Sequence, residues 1–192
     1  MRTLAKVLLM LVIALVLGIG SALGDLHLPV ARLGLSNGAW RTNLAVGSPA
    51  AGMYLRAYIA RVGLFALNKT ETIYYTAETD DDGRPLRSRC DYRIEGRDLP
   101  ARWWSLTLYG EDNFLIPNNN NRWSYGQKSV ARPADGGYVI MVSANPRDGD
   151  WLPAGDKDQG LALSLRLYNP EAVVYESPET IALPRIVREA CP

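Results

Sequence analysis

Residues 99–126 read LPARWWSLTLYGEDNFLIPNNNNRWSYG. Three of the chain's five tryptophans fall here, beside a run of four asparagines, Asn118 to Asn121. Trp104, Leu106 and Leu108 alternate with polar residues, which predicts a strand with one face turned inward. The asparagines read as a polar loop, and a second strand pattern follows. Working outward, Leu86 to Glu95 alternates with Leu86, Ser88, Cys90, Tyr92 and Ile94 on one face, so Cys90 is expected to point inward. Thr70 to Glu78 is rich in β-branched and aromatic residues, and Asp80-Asp81-Asp82-Gly83 reads as a turn. Tyr138 to Ser143 and Leu161 to Tyr168 are two more strands, with Leu161, Leu163, Leu165 and Leu167 in register. Ala172 to Pro192 holds one further strand and an extended tail. Short strands separated by turn clusters predict a mainly β chain folded as an antiparallel β-sandwich.

Several ordered motifs add to this. They are Pro100, Trp103 to Tyr109, Glu111 and Asp112, Pro117 and Asn118, Asn121 to Ser124, Gly126, and Leu165 to Pro170. Together they resemble the family called domain of unknown function 1214, over about residues 71–170. Asp150-Trp151-Leu152-Pro153 departs from the family's Asn-Trp-Leu-Pro at its first residue. The resemblance implies a sandwich of jelly-roll type and no established activity. Longer relatives carry a further domain upstream, which this chain is expected to lack.

The N-terminus carries a separate signal. Arg2 and Lys6 precede an apolar run from Val7 to Leu17, and small residues follow to Gly24 before Asp25. Residues 1–24 fit a secretory signal peptide. The 17 residues from Val7 to Leu23 also reach the lower limit of about 17 for a spanning helix, and an uncleaved anchor is the favoured expectation. Either way the rest of the chain is expected outside the cytoplasm, because positive flanks stay inside. The expected location is a bacterial inner membrane with the domain in the periplasm, or the periplasm itself after cleavage. Residues 25–69 read as linker and amphipathic helix. Asp25 to Gly47, with Pro29, is loop with room for one short strand. Ser48-Pro49 resembles a helix start, and Leu55, Ile59, Val62 and Ala66 recur at helical spacing. One N-terminal amphipathic helix from about Pro49 to Leu67, docked on the β-domain, is expected. Residues 70–192 form the sandwich.

Net charge is +1, from 21 basic and 20 acidic residues. No like-charge run gives a nucleic-acid footprint, and none is expected as a partner. In an oxidising compartment Cys90 and Cys191 allow one intramolecular bridge, against the alternative of two unrelated thiols. Such a bridge would tether the tail, and its loss is expected to free the chain from about Pro184 onward. One histidine and two distant cysteines have no metal-ligand spacing, and no cofactor motif is present.

Enzyme chemistries find few residues. The only histidine, His27, lies beside the apolar segment, so a serine triad lacks its base. Glu78-x-Asp80-x-Asp82-Gly83 mimics the start of an EF-hand loop, but its twelfth position is Arg89 where a glutamate is required. An envelope hydrolase built on two carboxylates, with Glu111 and Asp112 as candidates, is the rival reading. The favoured one is a non-catalytic binding or scaffolding module. Its candidate ligand residues are Trp103, Asn118, Asn121, Arg122, Trp123, Tyr125, Trp151 and Arg166. Aromatic faces with directional donors suit a polar small molecule or a glycan. The same residues also suit a structural role, and Arg122 in particular is expected to pair with a buried acid such as Asp150.

Overall fold

The computed structural model describes residues 2–27, 34–134 and 136–192. Pro29 and the rest of residues 28–33 of the expected linker lie outside the described residues, as does the side chain of His27. Helix α1 (Arg2–His27) is long and apolar. Its segment Thr3–Gly24 is 22 residues, about 33 Å at 1.5 Å per residue, enough to cross a bilayer core of about 30 Å. Its large apolar side chains from Leu4 to Leu23 are exposed.

Among the described residues ten strands follow in two sheets, with antiparallel pairing at all but one junction. The larger sheet runs β1 (Leu35–Asn37), β2 (Trp40–Thr42), β3 (Thr72–Ala77), β9 (Leu161–Pro170), β5 (Ala101–Gly110) and β6 (Ser124–Gly126). The smaller runs β10 (Arg185–Ala190), β4 (Asp91–Gly96), β7 (Tyr138–Ser143) and β8 (Asp150–Pro153). The junction of β7 and β8 is parallel. Sheets of six and four strands, antiparallel but for that pair, give the mainly β architecture expected.

The alternation seen in the sequence becomes the core. Ile73, Tyr75 and Ala77 on β3, Trp104, Leu106 and Leu108 on β5, and the four leucines of β9 point inward. They meet Tyr92, Ile94, Tyr138, Ile140, Val142 and Ile186 of the other sheet in one cluster. Trp104 stacks on Tyr138 across the layers, ring centroids 4.8 Å apart. Burial pushes the Tyr138 phenol well above its ordinary range, with Asp98 adding to the rise and Arg132 opposing it.

Three expectations are corrected. Leu86 to Glu95 is not one strand. Its inner-face residues are all buried, but residues 87–90 turn, with Cys90 N–H donating to the Arg87 carbonyl at 3.1 Å, and pairing as β4 starts at Asp91. The helix is shorter than Pro49–Leu67: α2 covers Met53–Arg61. Extended Gly52 sets its start and Gly63, at φ 68°, ends it, the position where a left-handed residue stops a helix. Ser48 instead closes its own turn onto Ala45. Residues 34–47, expected as loop with room for one short strand, supply two, the β1–β2 hairpin, anchored by buried Trp40, whose indole N–H donates to the Pro184 carbonyl at 2.7 Å.

Cys90 and Cys191 form a disulfide. It joins the start of β4 to the residue just past β10, two strands already paired. The tail is also held by buried Ile186 and by Arg188 against Asp80 at 2.9 Å. Loss of the bridge is therefore not expected to release the chain from Pro184.

Candidate functional site

The outer face of the six-stranded sheet is not bare. Period two places Tyr74 and Thr76 of β3, Ala162, Ser164, Arg166 and Tyr168 of β9, and Trp103, Ser105, Thr107 and Tyr109 of β5 on it. Tyr74 lies opposite Arg166, and Thr76 opposite Ser164. Helix α2 and residues 62–67 cross above these residues. They are pinned by Tyr74, whose hydroxyl accepts from Leu67 N–H at 3.0 Å and donates to the Phe65 carbonyl at 3.1 Å. A small apolar cluster of Val46, Ala51 and Leu55, with Ile59, Leu64 and Tyr74 against it, holds the helix, separate from the main core.

Between strap and sheet lies a cavity of about 770 Å³, inside the range of about 300–1,000 Å³ typical of small-molecule sites. Leu55, Ile59, Val62 and Leu64 line it from the strap side, and Thr76, Tyr109, Ser164, Arg166 and Tyr168 from the sheet. Arg166 is half-buried, and its guanidinium donates to the Tyr109 hydroxyl at 2.7 Å. Among the described residues no carboxylate pairs with it. Glu78 is the one carboxylate in the lining. The Tyr58 phenol, also in the lining, is raised by burial and by Glu78, with Arg61 opposing.

Of the eight residues singled out in the sequence, Arg166 lines this cavity. Trp103 lies on the same sheet face, 4.9 Å from the Tyr168 ring. The other six gather around the loop before β6 and its junction with β8. The Asn118 side chain donates to the carbonyls of Ile116 and Arg122 and accepts from the N–H groups of Asn120 and Arg122. Asn121 takes the left-handed φ of 51°. Trp123 donates to the Ile116 carbonyl at 2.8 Å. Tyr125 accepts from Trp151 N–H at 3.0 Å, and the Trp151 indole donates to the Ser143 carbonyl at 2.9 Å. These groups meet one another's polar atoms and close the turn.

Arg122 does not pair with Asp150. Its guanidinium sits 4.8 Å over the Tyr125 ring, exposed, while Asp150 accepts from Ala131 N–H at 2.6 Å. Arg122→Ala is thus expected to shift unfolding free energy by about 0.5 kcal/mol or less, as at other surface sites. Chemical denaturation of the two proteins checks this.

The two carboxylates of the hydrolase reading accept from backbone: Glu111 from Gly160 N–H at 3.0 Å, and Asp112 from Phe114 N–H at 2.9 Å in its own turn. The EF-hand mimic is also structural in its geometry. Asp80, 1 % exposed, accepts from the backbone of Asp82 and Arg84 and from the Arg84 side chain. Among the described residues no group of three or more His, Cys, Asp or Glu is placed to hold a metal.

A family model described as a protein of unknown function (DUF1214) matches residues 71–172, just over half the chain. The chain belongs to the DUF1214 family. The DUF1214 match starts next to β3 and ends past β9, so it contains the β3, β5 and β9 part of the cavity wall and neither β2 nor α2. The crystal structure of the VPA0106 protein from Vibrio parahaemolyticus is similar, at 27% identity and a TM-score of 0.59, covering 73% of this chain and 36% of that one. The chain thus spans about a third of that protein's length. An uncharacterised protein from Burkholderia cenocepacia matches at 23% identity and a TM-score of 0.42, over 64% of this chain and 31% of that one. No curated protein matches.

Tyr109, Tyr74 and Ser164 were missed in the sequence. A signal was available: they occupy the polar phase of the same alternation that marked the leucines as core.

Proposed function

We propose that this DUF1214 member is an exported, membrane-tethered, non-catalytic binding module, and that the cavity under α2 is its ligand site. The observation that carries the reading is the half-buried Arg166 on the cavity floor, hydrogen-bonded to Tyr109 and without a carboxylate partner among the described residues. A cation in such a place favours an anionic group on a ligand, through charge-assisted hydrogen bonds. The apolar α1 with Arg2 and Lys6 at its start supports tethering to the inner membrane. The disulfide supports an oxidising compartment outside the cytoplasm.

Binding only the native state raises the melting temperature. The full chain, held in phosphatidylcholine nanodiscs, is expected to melt higher with at least one class of small anion in a screen. The shift is expected to vanish in Ser164→Trp, which sets an indole beside Arg166. A screen without any stabiliser, or shifts retained in the variant, would count against the cavity as the site.

A further inference from the structure

The two walls of the cavity differ in kind. The strap contributes mainly hydrocarbon, Leu55, Ile59, Val62 and Leu64, with the Tyr58 phenol beside them. The sheet contributes guanidiniums, phenols and hydroxyls: Arg166 and Arg41, Tyr109 and Tyr74, Ser164 and Thr76. A wholly polar ligand such as a sugar would leave the strap wall against its hydroxyls. A wholly apolar one would strip water from Arg166 with no return. A molecule with one anionic end and a hydrocarbon body satisfies both walls.

Pairing places the anion. Tyr109 lies opposite Ala162, and Arg166 reaches along the sheet to donate to its hydroxyl at 2.7 Å. Among the described residues no carboxylate pairs with Arg166, so this pair is the place for the ligand's anionic group.

Access points to the source. Helix α1 contacts α2, so the strap stands beside the segment that can cross a membrane. Met53 and Phe65, at the two ends of the strap, are 77% and 90% exposed. Such apolar side chains suit the interface of a bilayer.

We infer that the ligand is a single-chain anionic lipid drawn from the membrane, its carboxylate or phosphate on Arg166 and Tyr109 and its chain beneath α2. This rests on the cavity being the ligand site. The test uses the full chain in phosphatidylcholine nanodiscs with a photoreactive palmitate probe. Crosslinks are expected on peptides of α2 and residues 62–67. Oleate should displace the probe, whereas oleyl alcohol (no charge) and butyrate (no chain) should not. Arg166→Gln should reduce labelling of those peptides roughly tenfold or more, the worth of a hydrogen bond to a charged group. Tyr109→Phe, which removes a single hydroxyl, should reduce it severalfold and covers the case in which Arg166→Gln fails to fold. Displacement by oleyl alcohol as strong as by oleate, labelling confined to α1, or wild-type labelling in both variants would overturn the inference. Absent labelling together with stabilisation by butyrate would overturn the lipid and leave the binding site standing. Absent labelling with no stabiliser of any kind would overturn both.

Discussion

Cys191→Ser is expected to lower the unfolding free energy by roughly 4–5 kcal/mol, the chain-entropy value for a closed loop of about 100 residues. The bridge ties positions 101 residues apart. Its native-state neighbours explain why the effect acts mainly through the unfolded chain. β10 is already paired to β4 from Arg185 to Ala190, and Ile186 is fully buried. The folded variant therefore keeps its strand, while the unfolded chain gains the freedom of an open loop. Cys191 is the better site to change because it is exposed, whereas serine at fully buried Cys90 would add a hydroxyl to the core. For a domain of this size the loss corresponds to roughly 8–20 °C in melting temperature. Denaturant unfolding of the unreduced full chain measures it, and a midpoint equal to wild type would refute the expectation.

Asp80→Ala is expected to cost roughly 3–5 kcal/mol, the cost of removing one partner of a buried ion pair. Asp80 is 1% exposed and its second oxygen faces two guanidiniums, Arg84 at 3.0 Å and Arg188 at 2.9 Å. The Arg188 Nε–H lies at that distance without pointing at the oxygen, so this contact is an ion pair rather than a hydrogen bond. The Arg188 side chain is only 15% exposed, so its charge would keep the Pro85 carbonyl and the Tyr92 ring but lose its acid partner where little water reaches. The first oxygen of Asp80 accepts from the N–H groups of Asp82 and Arg84, closing the turn that Gly83 completes at φ 79°. Asp80→Asn should cost less, because an amide oxygen can still accept from that turn. Equilibrium unfolding checks both variants, and equal stability of Asp80→Ala and wild type would refute the role.

The sandwich was legible because alternation is local. Leu161 to Leu167, and Trp104 to Leu108, announce a buried face without reference to any partner. The β1–β2 hairpin was not legible. Each strand has three residues, too few for a period, and Trp40 is held by Pro184, 144 residues away. The length of α2 was misread because Leu55, Ile59, Val62 and Ala66 keep helical spacing across Gly63, where the backbone turns left-handed. The cavity was half legible. Arg166 was singled out, but its partner Tyr109 is 57 residues away and meets it only when β5 pairs with β9. The roof comes from a helix whose docking face the periodicity shows and whose docking place it does not. The cluster around Arg122 looked like a binding site for a physical reason: asparagines and indole N–H groups have the same donors whether they meet a ligand or a carbonyl of their own turn.

The central claim is that the space between α2 and the sheet holds a molecule. Native mass spectrometry of the full chain, ejected directly from the membranes of cells producing it, tests this most directly. A single bound small molecule is expected on the wild-type chain and on Arg122→Ala, and none on Ser164→Trp. A wild-type chain with bare mass, or an adduct of equal abundance on Ser164→Trp, would contradict it.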